Sequence, residues 1–169
     1  EGMDPTEPFL VSTLHRPDNT DDKDRLDAIL DSLAQLPVPV ALLAHPRLVA
    51  KAEQHGIELQ RGSIQVSRPL AYGQMVAAVQ ASVGVVTDSG GLQKETFLLG
   101  RTGTTIRPET EWVETLENGW NVLAPDPHLM APGEFSRLVM RPTPTAERGN
   151  PYGDGHAAAE VVRVLAEKV

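Results

Sequence analysis

A short polar sequence near the middle of the chain combines residue types that suit a phosphate. It reads VVTDSGGLQKE and covers residues 85–95. Gly90 and Gly91 have no Cβ atom, so the backbone can turn sharply there and a ligand can come close. Ser89 is a typical helix N-cap, and the free N–H groups of the turn that follows attract anions. Glu95, about one helical turn later, can accept hydrogen bonds from a ribose. The pattern predicts a phosphate or nucleotide-sugar site, although an ordinary strand–helix turn with a capped helix uses the same residues.

Two further polar groups follow predicted strands. His15 and Arg16 stand in the sequence STLHRPDN, residues 12–19, and His45 ends the next apolar run. An imidazolium and a guanidinium at such positions can stabilise negative charge that develops on a departing phosphate. A solvated loop is the alternative for either group taken alone. Three polar groups at three strand ends favour a site without determining the reaction.

The elements that must position these residues alternate between short apolar runs and longer segments of helical spacing. This alternation is typical of a parallel sheet covered by helices. The pattern predicts strands at 9–14, 40–44, 64–66, 83–87, 104–106 and 122–123, and helices at 26–36, 48–54, 75–79, 91–99 and 156–168. The Pro- and Gly-rich segment 125–155 is predicted to wrap the surface. The resulting fold class is a doubly wound, Rossmann-like α/β domain, whose ligands bind at the carboxyl ends of the strands.

Composition narrows the function classes. The chain has 169 residues, enough for one domain, and a net charge of −8, which argues against a broad nucleic-acid surface. It has no cysteine, so it contains neither a disulfide nor a thiolate metal site. No apolar run approaches the ~20 residues that span a bilayer, so a cytoplasmic location is the default expectation. Residues 1–8 are polar and Pro-rich and are predicted to be a linker or a cloning remnant, with the domain covering 9–169.

The motifs resemble those of one enzyme family. The sequence TLHRPDN, residues 13–19, is similar to the T-x-H-R-x-E-N signature of non-hydrolysing UDP-N-acetylglucosamine 2-epimerases. The other similar blocks follow in the family's order: TDSGGLQKE at 87–95, RPETEWVET at 107–115, GWN at 119–121 and NPYGDG at 150–155. The TEWVET block most resembles the branch that makes mannosamine-type sugars for surface polysaccharide.

The resemblance implies a two-domain enzyme of the GT-B type, about twice as long as this chain, with UDP-sugar in the cleft between its domains. Such enzymes interconvert UDP-GlcNAc and UDP-ManNAc by eliminating UDP and adding it back, without a metal or NAD. The resemblance places this chain in the C-terminal half, and the family's usual state is a homodimer. The carboxylates that move the C2 proton lie in the family's N-terminal half, so the chain alone is expected to be inactive.

The resemblance also assigns roles to individual residues. The turn at Ser89, Gly90 and Gly91 holds the diphosphate and Glu95 the ribose. His15 is the active-site histidine beside the diphosphate. Leu70, through backbone groups, and Met75 surround the uracil.

A second, regulatory UDP-sugar site described for bacterial members would involve Arg16 and His45. Two positions depart from the family's pattern. Asp18 stands where the family usually has Glu, and Trp112 stands where many members have Arg. Arg107 is the candidate to replace the nucleotide contact that Trp112 cannot make.

Two other functions compete with the epimerase. One is the nucleotide-sugar-binding domain of a GT-B glycosyltransferase, in which a Glu often binds the ribose. The other is a nucleotide-sugar sensor without catalytic activity. The sequence from Glu111 to Thr115 favours the epimerase over the glycosyltransferase. An N-terminal domain with paired acidic residues in the full-length protein would favour it over the sensor.

Overall fold

Six short strands form one parallel sheet in the computed structural model, which describes residues 7–167. Each strand pairs only with parallel neighbours, in the order β3-β2-β1-β4-β5-β6. The strands are β1 (Leu10–Thr13), β2 (Val40–Leu43), β3 (Ile64–Ser67), β4 (Gly84–Thr87), β5 (Gly103–Thr105) and β6 (Asn121–Leu123). The chain reverses its direction across the sheet between β1 and β4. A crevice forms at such a point, and ligands bind there in this fold class. The predicted Rossmann-like doubly wound sheet is confirmed.

Seven helices accompany the sheet in the described part of the chain. They are α1 (Pro17–Thr20), α2 (Lys23–Ala34), α3 (Pro46–His55), α4 (Tyr72–Ala81), α5 (Gly90–Leu98), α6 (Glu134–Val139) and α7 (Ala157–Ala166). A 3₁₀ segment, Val113–Gly119, joins β5 to β6. The start of α2 is set by Asp22, whose carboxylate accepts a hydrogen bond from the Arg25 N–H at 2.8 Å. The end of α3 is set by Gly56, whose φ of +68° suits a residue without Cβ.

Two hydrophobic cores lie on opposite faces of the sheet, because side chains alternate along each strand. Leu10 of β1 packs in the larger core and its neighbour Val11 packs in the smaller one. Helix α2 contributes the spaced residues Leu26, Ile29, Leu30 and Leu33 to the larger core, and all four are fully buried. The central strands β1 and β4 are therefore held rigidly from both faces, which fixes the positions of the loops that follow them.

Two predictions need correction. The segment 125–155 does not only wrap the surface: it contains α6, whose Phe135 and Val139 are buried in the larger core. The short helix α1 was also absent from the prediction. The terminal helix is confirmed as Ala157–Ala166, but none of its residues is buried; Lys168, its predicted end, lies outside the described residues. Residues 1–6 also lie outside the described range, so the linker at 1–8 stays a prediction.

Residues 7–167 contain no helix that is both long and apolar enough to cross a bilayer.

Candidate functional site

Helix α5 begins in the polar turn that follows β4. Ser89 precedes the helix in an extended conformation, and its hydroxyl accepts a hydrogen bond from the Leu92 N–H at 3.3 Å. The Ser89 N–H donates to the Thr87 hydroxyl at 3.0 Å, which fixes the path from strand to helix. Unpaired N–H groups at a helix start carry partial positive charge, so this end of α5 suits an anion.

A cleft of about 430 Å³ opens beside this turn, at the carboxyl ends of β1, β2 and β4. Seven of the ten residues predicted for the site line it, namely His15, His45, Leu70, Met75, Ser89, Gly91 and Glu95. They come from four separate stretches of sequence, and the sheet brings them to one edge because its strands run parallel. The cleft offers an anion site at one side and a carboxylate, Glu95, one helical turn away.

The wall of the cleft opposite α5 is apolar and aromatic. Leu70 and Pro69 lie just before α4, and Met75 belongs to its first turns. Tyr72, which sequence reasoning missed, stands at the first position of α4 with 70% of its surface exposed. A flat apolar wall of this kind can pack against the plane of a nucleobase.

Asp88 connects the ends of the two central strands. Its carboxylate is fully buried and accepts hydrogen bonds from the backbone N–H groups of His15, at 3.1 Å, and Arg16, at 2.9 Å. The Asn19 amide adds a third bond at 3.2 Å. Asp88 directly follows β4 and the other three residues follow β1, so this one carboxylate fixes the loop that carries His15 against the turn that carries Ser89.

The same carboxylate orients the His15 ring. Nδ1 of His15 lies 3.2 Å from Oδ1 of Asp88, and 37% of the His15 side chain is exposed, on the cleft. A carboxylate accepts but cannot donate, so this contact favours a proton on Nδ1. Nε2 is then the ring nitrogen that can meet a ligand. The His45 ring lies 5.5 Å from the His15 ring, between centroids, so two imidazoles stand on the same rim.

Three predicted site residues lie outside the cleft. Gly90 faces the segment after β5, where an added Cβ would come 2.4 Å from Glu111 Oε1 and 2.9 Å from Trp112 Nε1. Arg107 forms an ion pair of 2.8 Å with Glu111, and Arg16 Nη2 lies 4.0 Å from the same carboxylate. A hydrogen bond from its own backbone N–H, and after it the Arg107 guanidinium, hold the pKa of Glu111 below its usual value. Arg16 and Arg107 share a smaller cavity of about 130 Å³, which is also lined by Asn19 and Arg25.

The family model for UDP-N-acetylglucosamine 2-epimerase matches residues 2–166. The chain belongs to the UDP-N-acetylglucosamine 2-epimerase family. The UDP-2,3-diacetamido-2,3-dideoxy-D-glucuronate 2-epimerase of Pseudomonas aeruginosa is 37% identical, over 98% of this chain and 46% of that protein. The UDP-N-acetylglucosamine 2-epimerase homolog of Methanococcus maripaludis is 29% identical, over 93% of this chain and 44% of that protein.

Solved epimerase structures agree in fold. The Methanocaldococcus jannaschii UDP-GlcNAc 2-epimerase in complex with UDP-GlcNAc and UDP matches with a TM-score of 0.79 and 26% identity. The match covers 95% of this chain and 46% of that one. The chain spans about half the length of the curated relatives it matches, and it corresponds to their C-terminal half. The resemblance read from the motifs, and the fold of one half of a GT-B-type epimerase, are confirmed.

The cleft of this family member is lined by hydrogen-bonding and apolar groups. Residues 7–167 hold no group of three or more His, Asp or Glu side chains arranged to bind a metal ion. The start of α5 can attract an anion, the Glu95 carboxylate can accept hydrogen bonds from hydroxyl groups, and the apolar wall can pack against a planar ring. The oriented His15 imidazole, in the same cleft, can share or donate a proton.

Proposed function

We propose that this chain is the UDP-binding half of a UDP-N-acetylglucosamine 2-epimerase that interconverts UDP-GlcNAc and UDP-ManNAc for surface polysaccharide synthesis. The observation that carries the proposal is the composition of the cleft in a chain of this family. His15, Ser89, Gly91, Glu95 and Leu70 line one cleft at the point where the sheet reverses direction. Each has the chemistry needed for one part of a UDP-sugar.

UDP is proposed to lie along the cleft from α5 to α4. Its diphosphate meets the N–H groups at the start of α5 and the Ser89 hydroxyl, since a helix start favours an anion. The Glu95 carboxylate, one turn further along α5, accepts hydrogen bonds from the ribose hydroxyls. The uracil packs on the wall formed by Leu70, Tyr72 and Met75, with its polar edge toward the backbone near Leu70.

His15 is proposed to stabilise UDP as it leaves. In the elimination, a base from the other half of the enzyme removes the C2 proton, a C1–C2 double bond forms, and the C1–O bond breaks. UDP departs with the electron pair of that bond. In the imidazolium form of His15 both ring nitrogens donate: Nδ1–H donates to Asp88, and Nε2–H can hydrogen-bond to the diphosphate oxygens as their charge grows. In the second step an acid from the other half of the enzyme delivers a proton to the opposite face of C2, and UDP adds back to C1 through the same contacts in reverse.

A second candidate substrate is UDP-2,3-diacetamido-2,3-dideoxy-D-glucuronate, which the Pseudomonas aeruginosa relative is named for. This sugar carries a carboxylate, and a carboxylate requires a cationic partner. Arg16 and Arg107 are two guanidinium groups outside the cleft that already pair with Glu111, so they could bind the sugar's carboxylate only by exchanging that partner. Two other functions compete with that of an epimerase. The family match does not favour a GT-B glycosyltransferase, so a nucleotide-sugar sensor without catalytic activity is the remaining alternative.

The full-length protein that contains this chain tests the proposal. Each UDP-sugar is incubated with the protein in deuterium oxide, and proton NMR follows loss of the C2 proton signal and appearance of the 2-epimer. The accepted substrate should show both, and His15→Ala should lower the rate by about 10²-fold or more. His128→Ala changes an exposed histidine outside the cleft and should keep the normal rate.

Residues 1–169 alone should give no exchange at C2, because the proposed base belongs to the other half. Exchange above a protein-free control would show that the proton-moving groups lie in this chain. If the full-length protein binds both UDP-sugars without exchanging their C2 protons, the sensor is the correct interpretation.

A further inference from the structure

The carboxylate that orients His15 is itself held by a buried amide. Asn19, in α1, is 2% exposed, and its Nδ2 donates to Oδ2 of Asp88 at 3.2 Å and to the Ile106 carbonyl at 3.0 Å. An amide nitrogen has two N–H groups, so both bonds can form at once. Asn19 therefore ties Asp88 to the end of β5 as well as to the loop after β1.

The other end of this amide is held by a guanidinium. Arg25, in α2, donates from Nε to Oδ1 of Asn19 at 3.0 Å. A guanidinium only donates, so the amide oxygen must face Arg25 and the amide nitrogen must face Asp88. In the opposite orientation, the amide oxygen would face the Asp88 carboxylate and the amide N–H groups would face the Arg25 guanidinium.

Arg25 is anchored in its turn by the loop after β6. Its Nη2 donates to the Pro125 carbonyl at 2.7 Å, and its Nη1 pairs with the Asp126 carboxylate at 2.5 Å. Only a planar fork with several N–H groups can make these bonds and still reach Asn19. A continuous series of hydrogen bonds thus runs from the β6 loop, through Arg25, Asn19 and Asp88, to Nδ1 of His15.

We infer that Arg25 is a positioning residue for His15. Arg25 fixes the Asn19 amide, and the Asn19 amide fixes the Asp88 carboxylate. Asp88 in turn keeps a proton on Nδ1 of His15 and leaves Nε2 toward the diphosphate. Without Arg25, the Asn19 amide loses the contact that selects its orientation, and Asp88 loses a hydrogen bond. The consequence for catalysis rests on the proposed role of His15, whereas the consequence for the His15 tautomer does not.

The chain offers a matched control for Arg25. Arg61 also packs against α2, is buried to the same degree (23% of its side chain exposed against 24%), and pairs with two carboxylates of that helix, Asp27 and Asp31. Arg61 makes no contact with the series that leads to His15. Arg61→Gln therefore removes two ion pairs from α2, against one for Arg25→Gln, without disturbing Asn19.

The test uses the full-length protein labelled with ¹⁵N-histidine, with the His15 signals assigned by comparison with His15→Gln. Arg25→Gln should move the His15 ring nitrogen shifts away from a protonated Nδ1 and lower kcat by about tenfold, the usual scale for a residue that orients an active-site group from outside. KM for the UDP-sugar should change less than twofold, since the cleft residues are untouched. Arg25→Lys should give intermediate shifts and an intermediate kcat, and it serves as the main variant if Arg25→Gln does not fold. Arg61→Gln should match the unmodified protein.

Normal His15 shifts in Arg25→Gln or Arg25→Lys would overturn the inference, whatever happens to kcat, because a purely structural loss would leave the tautomer unchanged. The same holds if Arg61→Gln moves the shifts as much. If the unmodified protein shows no epimerase activity, the proposed function fails, but the shifts of His15 still decide the role of Arg25.

Discussion

The Asp88 carboxylate gives the sharpest prediction for the stability of the fold. Its Oδ1 accepts from the N–H and Nδ1 of His15, and its Oδ2 accepts from the Arg16 N–H and the Asn19 amide. Asp88→Asn keeps the size but turns one oxygen into an NH₂ group, which then faces two donors. Hydrogen bonds to a charged group contribute about 1.5–3 kcal/mol each. Losing two of them, offset in part by removing a buried charge, should cost about 3–5 kcal/mol.

Unfolding of residues 1–169 in urea and on heating, followed by far-UV circular dichroism, measures this loss. For a chain of this size about 1 kcal/mol corresponds to 2–4 °C, so the midpoint temperature should fall by roughly 6–20 °C. Asp24→Asn is the matched control, because Asp24 is exposed in the first turn of α2, and it should cost less than about 1 kcal/mol. If Asp88→Asn unfolds like Asp24→Asn, Asp88 does not join the two strand ends as described.

Three further predictions concern the surroundings of the cleft. Gly90→Ala should destabilise the fold by about 1–3 kcal/mol, because the new Cβ would clash with Glu111 and Trp112. Gly91→Ala should leave stability unchanged or slightly higher, because its Cβ meets only Ser89 Oγ, at 3.8 Å. Equal urea midpoints for the two variants would contradict this. Burial lowers the pKa of Arg141 to about 10, so it is charged at neutral pH, and it donates to five oxygens. Arg141→Met should therefore cost about 3–5 kcal/mol in urea unfolding, and Arg141→Lys less. An Arg141→Met variant with unchanged stability would refute that role. The folded-state pKa of Glu111 is lowered, so its contribution is present above the unfolded pKa of about 4.3 and disappears as the pH falls through the folded pKa. Glu111→Gln should lower the urea midpoint at pH 7, and this effect should become smaller as the pH falls. An effect of the same size at neutral and acidic pH would exclude the ion pair as the cause.

Much of the fold could be predicted because the signals that determine it are local. Apolar runs of four or five residues mark the buried strands, and the leucines of α2 recur at helical spacing. The turn from β4 to α5 could also be predicted from the sequence, because an N-cap residue and two glycines act within a few residues of each other. Helix α6 was missed because its buried pair, Phe135 and Val139, spans a single turn between Pro- and Gly-rich flanks. So short a segment has no measurable period.

The parts of the site that depend on distant residues could not be predicted. The role of Asp88 could not be predicted from its motif, because its hydrogen-bond donors follow β1, more than 60 positions earlier in the chain. Nothing in the sequence indicated that Glu111 packs where a Cβ on Gly90 would stand, and the role of Gly90 beside the diphosphate stays a prediction. The only sequence signal for Tyr72 was an aromatic residue close to Leu70 and Met75. The structure shows that all three residues line one wall of the cleft.

Titration of residues 1–169 with UDP, followed by amide NMR, tests the central claim most directly. Amide shifts should centre on residues 89–95, with a second group near Leu70, and the affinity should be weak, on the order of 0.1–1 mM or ~4–5.5 kcal/mol, because only half of the cleft is present. Glu95→Ala should weaken UDP and leave inorganic pyrophosphate nearly unchanged, since only the ribose contact is lost. Shifts that centre on another surface, or a Glu95→Ala variant that loses pyrophosphate as much as UDP, would contradict the account.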